Sequence, residues 1–227
     1  MSVSYSKPKN PAVIIAGFAL TAFLMIICVL FTSFPEWVNG GHFSPAGMFF
    51  LSRILFWISL AVIYIYVKKK EERPLLLWDE KGYGPGFYLA SIAIILLSVL
   101  VGSIIIGLVI HFIGLSLRSS AMKTVFGFNI PLKIFIVITA AVVEELIFRG
   151  YLLSRLQLFF KGKHWPLIIS SVIFGLGHMR YGTVVNVLGP IFIGFVFAWH
   201  YQKYRNIKIL MICHFMIDLT ALMIPHK

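Results

Sequence analysis

The sequence is poor in charged residues, and above all in acidic ones. Only 12% of its 227 residues are charged and only 8 are Asp or Glu, whereas a soluble domain carries about 25% charged residues. Hydrophobic residues make up 59% of the chain, and the mean hydropathy is +0.93. This composition excludes an ordinary soluble domain and predicts an integral membrane protein.

Cysteine is scarce too, because Cys28 and Cys213 are the only two and both lie in apolar runs. They form neither a disulfide framework nor a Cys-x-x-Cys site. The chain also contains no His-Glu-x-x-His zinc helix, no phosphate-binding glycine loop and no internal repeat. Neither redox compartment nor metal can therefore be inferred from these motifs.

Basic residues outnumber acidic ones, 20 against 8, and give a formal net charge of +12. They lie in short clusters between apolar segments rather than along one face, which favours anchoring in a lipid bilayer over nucleic-acid binding. With a cytoplasmic N-terminus, the inside loops hold Lys7, Lys9, Lys68, Lys69, Lys70, Arg73, Lys81, Arg155, Lys161, Lys163, Lys203, Arg205 and Lys208, and the outside loops hold Arg118, Lys123, Arg180 and Lys227. We therefore predict a multi-pass cell-membrane protein with its N-terminus in the cytoplasm.

The apolar runs are too long for buried core helices and lack the alternation of barrel strands. They predict an all-α polytopic transmembrane helix bundle of about seven spans: 12–34, 48–67, 87–114, 131–160, 165–178, 184–201 and 207–224. We expect one integral membrane domain, with N-terminal helices in 1–130 and the site-bearing helices in 131–227. The charged segment 68–73 is interpreted as a solvated stop-transfer loop.

Three ionisable residues, Glu144, Glu145 and Arg149, lie within the fourth predicted span. Each costs at least about 2.5 kcal/mol at the centre of a bilayer, so such residues usually serve a function. Glu145 and Arg149 are four residues apart and can form an ion pair on one helix face. Glu144, about 100° away, is the candidate general base. The alternative is a purely structural bridge that fixes helix packing.

Two later spans carry histidines that could join this cluster. His178 follows small residues near the end of the fifth span, and His214 shares a helix face with Asp218 on the seventh span. One acid and two histidines from three helices could bind water and polarise an amide. The catalytic residues are thus expected on three helices of the C-terminal half.

These residues form a pattern: Glu144-Glu145-x-x-x-Arg149-Gly150, then Phe174-x-x-x-His178, then His214-x-x-x-Asp218. The pattern resembles the three ordered motifs of the CPBP family, the CaaX proteases and bacteriocin-processing enzymes also called Abi proteins. It covers residues 140–222. The resemblance implies an intramembrane endopeptidase acting on a membrane-associated peptide or protein, and we expect cleavage near the cytoplasmic side.

The resemblance also implies roles for the residues. Glu144 would activate water with His178 sharing the proton transfer, and Glu145 and Arg149 would support the site. His214 and Asp218 would stabilise the oxyanion. Eukaryotic members of the family tend to have Asn at the last position. An Asp there donates a hydrogen bond only when protonated, and otherwise it would orient His214.

Four questions stay open at the level of sequence. The family has been described both as a metal-free glutamate protease and as a zinc enzyme. We favour the first because Glu144, His178 and His214, as ligands of Zn²⁺, are not a strong zinc pattern. The substrate could be CaaX-like or a leader, bacteriocin or pheromone peptide, and oligomeric state is not predicted. A second hypothesis is a non-catalytic protein of the same fold, acting in bacteriocin immunity or as a regulatory scaffold.

Overall fold

The computed structural model describes residues 10–31, 44–116 and 119–224, and those residues form helices without any strand. The eight helices are α1 (Pro11–Phe31), α2 (Pro45–Tyr66), α3 (Pro85–Phe112), α4 (Ser120–Phe126), α5 (130–159), α6 (His164–Leu176), α7 (Val185–Tyr204) and α8 (Ile207–Met223). The predicted all-α bundle is confirmed. Four basic residues of the topology prediction, Lys7, Lys9, Arg118 and Lys227, lie outside the described ranges.

Each of the seven predicted spans corresponds to one helical rod in the described residues. Three of these rods, Pro11–Phe31, Pro45–Glu71 and Pro85–Phe112, are long and apolar enough to cross a membrane. The 13 residues of α6 extend only about 20 Å, less than the thickness of about 30 Å of a hydrocarbon core. The segment between the third and fourth spans was predicted to be a loop. This prediction was wrong in one respect, because the segment contains the short helix α4.

The rod α5 is wound unevenly. It begins at a cap in which the Asn129 side chain accepts a hydrogen bond from the backbone N–H of Leu132 at 3.0 Å. Its middle, Ala140–Glu144 and Leu146–Leu153, is π-helical, whereas Ile130–Thr139 and Ser154–Phe159 are α-helical. Wide turns of this kind inside a helix are common at functional sites. Here they coincide with the acidic pair.

Helices α6 and α7 pack backbone against backbone at Gly175. A Cβ atom added to Gly175 would lie 2.8 Å from the carbonyl oxygen of Val187 and 2.9 Å from the amide nitrogen of Ile191. Only glycine fits so close an approach. Because His178 follows three residues later, this contact fixes where the histidine emerges from α6.

The charged segment 68–73 differs from the predicted solvated loop. Its lysines are exposed, but α2 continues through Val67–Glu71, and the Glu71 side chain is only 1% exposed. Arg155 Nε donates to Glu71 Oε2 at 3.1 Å, and the Tyr151 hydroxyl donates to Oε1 at 2.8 Å. Since a buried carboxylate needs such partners, this acid fastens the end of α2 to α5.

The N-terminal and C-terminal parts of the chain share their apolar core. One buried cluster combines Cys28 of α1 and Ile63 of α2 with Val143 and Tyr151 of α5 and Phe174 of α6. This packing places α1 and α2 directly beside the helices that bear the polar motifs of the fourth and fifth spans. The apolar core is therefore continuous across residue 130, the predicted boundary between the N-terminal helices and the site-bearing helices.

Candidate active site

Glu145 lies at the centre of a buried polar cluster. Its side chain is fully buried, and its Oε1 accepts a hydrogen bond from Arg149 Nη1 at 2.7 Å. The same oxygen is 2.8 Å from His214 Nδ1, although 69 residues separate the two in sequence. Because a carboxylate oxygen only accepts, the His214 Nδ1–H is the donor. Glu145 thus links α5 to α8 and has its charge balanced within the protein.

Arg149 is enclosed on all sides. Its side chain is 1% exposed, and its guanidinium lies 4.4 Å from the ring centre of Phe174 and 5.2 Å from that of Phe197. A second nitrogen, Nη2, donates to the Gly194 carbonyl of α7 at 3.4 Å. Cation–π contacts and one ion pair therefore stabilise a charge that would be costly in a membrane interior. The arginine holds α5, α6 and α7 together.

Glu144 is also buried, but it lacks such partners. It is 9% exposed and makes no hydrogen bond or ion pair with any residue that the structure describes. It is among the residues that line two cavities. The two adjacent acids thus differ as the spacing predicted: Glu145 pairs with Arg149, and Glu144 lines the cavities without a partner among the described residues.

His178 lies just beyond the end of α6 and lines the same two cavities as Glu144. Its Nδ1 is 2.9 Å from the carbonyl oxygen of Phe174. A carbonyl only accepts hydrogen bonds, so Nδ1 carries the proton and, in the neutral ring, Nε2 carries the lone pair. This backbone contact therefore sets the tautomer that a proton-accepting histidine needs.

His214 is more constrained than His178. Its Nδ1 faces Glu145, and its Nε2 is 3.4 Å from Asp218 Oδ2. The ring thus lies between two carboxylates, whereas the sequence had paired it with Asp218 alone. The Asp218 side chain is 35% exposed and lies at the wall of one cavity. The Asp218 carboxylate is thus within ion-pair distance of the His214 ring.

The two cavities define the space in which a substrate could bind. The first, the α1 chamber, has a volume of about 300 Å³ and is walled on one side by Met25, Cys28 and Val29 of α1. The second, the α8 chamber, has a volume of about 250 Å³ and includes His214 and Asp218. Both are lined by Phe49, Arg53, Glu144, Phe174, His178 and Tyr181. Glu144 and His178 therefore stand between the two chambers.

The described residues do not form a preassembled metal site. No group of three or more His, Cys, Asp or Glu side chains within the described ranges is arranged to hold a metal ion. His214, one of the three ligands of the zinc version, directs Nδ1 to Glu145, and its Nε2 lies 3.4 Å from Asp218. A histidine whose Nδ1–H is bonded to a carboxylate can bind a metal through Nε2.

Sequence reasoning missed two residues of the chamber walls. Arg53 of α2 and Tyr181 of the turn Met179–Tyr181 line both chambers beside Glu144. For Arg53 a signal was present, since a lone basic residue interrupts the apolar run of the second span, and such residues usually face a cavity. Tyr181 gave no comparable signal, because a tyrosine between two spans is common at a membrane interface.

An apolar groove of about 550 Å³ lies beside the α1 chamber, between α1 and the helices α5 and α6. The groove and the chamber share Met25, Val29, Phe148, Gly177 and Arg180 as walls. An apolar segment of a substrate or a lipid chain would therefore reach Glu144 along a continuous surface.

The chambers reach one particular end of the bundle. Pro45, Thr124 and Arg180 line the α1 chamber, and Arg180 Nη1 donates to the Val29 carbonyl near the end of α1 at 2.6 Å. This end is opposite to the one at which α1 begins. The α1 chamber therefore lies nearer to the end of α1 than to its beginning.

Three rods of the helical bundle are long and apolar enough to cross a membrane, which is typical of a helical membrane protein. Residues 126–220 match the family described as "Type II CAAX prenyl endopeptidase Rce1-like", and this match includes all three motifs. The resemblance to the CPBP, or CAAX protease, family is thus confirmed over this segment. Neither the curated proteins nor the solved structures contain a match to the chain.

Proposed function

We propose that the protein is an intramembrane endopeptidase in which Glu144 activates the hydrolytic water and His178 shares the proton transfer. The observation that carries this proposal is the division of the acidic pair. Glu145 is paired with Arg149 and His214, whereas Glu144 faces both chambers without a partner among the described residues. A general base needs a free carboxylate within reach of water and substrate.

The reaction follows from this arrangement. Glu144 takes a proton from water as the water oxygen bonds to the carbon of the scissile carbonyl. The C–N bond then breaks, and the leaving nitrogen receives a proton that returns from Glu144 or through His178 Nε2. The products are a carboxylate and an amine, so the step needs only water as co-reactant.

The supporting residues position this chemistry. Glu145 and Arg149 hold α5 against α6, α7 and α8, and thereby fix the direction in which Glu144 points. We assign Asp218 to the orientation of His214, because its carboxylate lies 3.4 Å from His214 Nε2. Backbone or side-chain donors around the α8 chamber would then stabilise the oxyanion.

The mechanism is proposed to be metal-free. If so, a dialysed enzyme should keep its activity in the presence of EDTA or 1,10-phenanthroline, and metal analysis should find less than stoichiometric zinc. Loss of activity on chelation with recovery on adding Zn²⁺ would show that the zinc version is right. The proposed substrate is a peptide or protein with an apolar part, because the 550 Å³ groove leads to Glu144.

The test compares peptides released by cells or proteoliposomes that contain wild-type protein, Glu144→Gln or His178→Gln. We expect Glu144→Gln to abolish processing and His178→Gln to reduce it by about 10² to 10⁴-fold, the usual contribution of a proton-transfer group. Both variants should unfold close to the wild-type temperature, since among the described residues Glu144 has no hydrogen-bond partner and the His178 side chain has one, the Phe174 carbonyl.

Lys123→Gln serves as the matched control, because Lys123 is exposed on α4 and lines neither chamber. It should process substrate at the wild-type rate. If Glu144→Gln and His178→Gln also keep the wild-type phenotype, the protease proposal fails and the non-catalytic scaffold is the remaining explanation.

A further inference from the structure

Three arginines lie within the helical bundle, and they differ in their partners. Arg149 pairs with Glu145 at 2.7 Å and Arg155 with Glu71 at 3.1 Å. Arg53 is half-buried on α2 and has no carboxylate within ion-pair distance among the residues that the structure describes. Its Nε donates to Ser52 Oγ at 3.2 Å, and its guanidinium lies 4.4 Å from the ring centre of Phe56.

The guanidinium of Arg53 lines both chambers beside Glu144 and His178. A guanidinium carries five N–H donors in a planar fork, and only Nε has a hydrogen-bond partner here. A charged group in an apolar helix is costly unless it is paired or faces water. Arg53 thus presents an unpaired positive charge to the space in which the substrate would bind.

The two chambers differ in the acidic side chains that line them. Among the described residues, Glu144 is the only carboxylate around the α1 chamber, whereas the α8 chamber has both Glu144 and Asp218. An anionic group is therefore repelled less in the α1 chamber than in the α8 chamber.

We propose that Arg53 binds a carboxylate of the substrate in the α1 chamber and thereby determines which peptide bond reaches Glu144. The inference rests on the proposed function. The carboxylate is either the free C-terminus of the peptide or an Asp or Glu side chain close to the scissile bond. Both present the same pair of oxygens, which matches the fork of a guanidinium.

The experiment uses purified protein in proteoliposomes and synthetic peptides that carry an apolar segment, which suits the groove beside the α1 chamber. One pair of peptides differs only in a free or an amidated C-terminus, and a second pair replaces each Asp or Glu by Asn or Gln. Wild-type kcat/KM should fall by about tenfold to a hundredfold in one pair, the range provided by a charge-assisted hydrogen bond. The pair that responds identifies the source of the carboxylate.

Arg53→Gln should lower kcat/KM for the carboxylate peptide to the level of its neutral counterpart. The kcat/KM for the neutral peptide should stay at its wild-type value. Arg53→Lys should keep part of the preference, because it retains the charge without the planar fork. Lys123→Gln should keep all of it. Wild-type protein that shows no preference in either pair overturns the inference, and so does an equal loss for both peptides in Arg53→Gln, which would place Arg53 on the oxyanion.

A binding measurement separates this inference from the protease proposal. The same peptides are labelled with a fluorophore, and their binding is measured by fluorescence anisotropy. The Glu144→Gln protein should bind the neutral peptide more weakly than the carboxylate peptide, and the double variant Arg53→Gln/Glu144→Gln should bind both peptides alike. A preference in binding without any cleavage by wild-type protein would refute the proposed function and support the carboxylate site. Cleavage by wild-type protein without any preference in binding would support the proposed function and refute the carboxylate site.

Discussion

The Oε1 atom of Glu145 lies 2.8 Å from Nδ1 of His214 and 2.7 Å from Nη1 of Arg149. One oxygen thus joins two residues of α5 to one residue of α8. The second oxygen, Oε2, is buried and has no hydrogen-bond partner among the described residues. Both hydrogen bonds that Glu145 makes through its side chain therefore use one oxygen and lie within this cluster.

Glu145→Gln should destabilise the protein strongly. The substitution leaves Arg149 charged in a buried position without its ion-pair partner, and breaking a buried pair from one side costs about 3 kcal/mol or more. Thermal unfolding in detergent micelles measures the effect. Glu144→Gln is the matched control and should unfold as the wild type does. If Glu145→Gln and Glu144→Gln are equally stable, the structural assignment of Glu145 is wrong.

A double variant refines that test. Arg149→Met combined with Glu145→Gln removes both buried charges, so it should be more stable than the sum of the two single variants implies. Additive losses would show that the contact between the two side chains contributes nothing to stability.

Gly175→Ala should separate α6 from α7. The added methyl group would lie 2.8 Å from the carbonyl oxygen of Val187 and 2.9 Å from the amide nitrogen of Ile191, and neither backbone atom can rotate away. Overpacking of this kind costs about 1 to 3 kcal/mol. Because His178 follows on the same segment, proteolytic activity should fall as well.

Gly107→Ala is the control for this variant. A Cβ atom at Gly107 of α3 has no other atom within 4 Å. The substitution should leave stability unchanged or raise it slightly, because alanine is the better helix former. Equal unfolding temperatures for Gly175→Ala and Gly107→Ala would contradict the close contact of α6 and α7.

Local patterns predicted part of this site. The four-residue spacing of Glu145 and Arg149 predicted their contact, since i and i+4 share a face of the helix. The apolar runs predicted the seven helical rods, because the length of an apolar run is likewise a local feature of the sequence. The assignment of Glu144 as the free acid followed from the same geometry and agrees with the absence of partners among the described residues.

Contacts between distant parts of the chain could not be predicted in this way. The bond from His214 to Glu145 spans 69 residues, and the one from Arg155 to Glu71 spans 84. Nothing in a single sequence states which of several polar groups at a similar depth meet across helices. The π-helical winding of α5 was missed as well, because its apolar pattern is that of an ordinary helix.

Glu71→Gln should destabilise the protein, whereas Glu72→Gln should not. The Glu71 carboxylate accepts from Arg155 Nε and from the Tyr151 hydroxyl, so the neutral side chain leaves the fully buried Arg155 without an ion-pair partner. A loss of about 3 kcal/mol follows from the buried position. Unfolding in detergent compares the two variants. Equal stabilities would restore the interpretation of segment 68–73 as a solvated loop.

The orientation in the membrane decides which compartment supplies the substrate. If the N-terminus is cytoplasmic, Lys161, after α5, faces the cytoplasm, and Lys123 on α4 lies at the outer end with the chamber mouth. Both lysines are exposed, whereas the native Cys28 and Cys213 are buried and should not react with a maleimide. A membrane-impermeant maleimide should therefore label Lys123→Cys in intact cells and Lys161→Cys only after permeabilisation. The reverse pattern would place the N-terminus outside and open the α1 chamber to the cytoplasm, and the substrate would then be a cytoplasmic peptide.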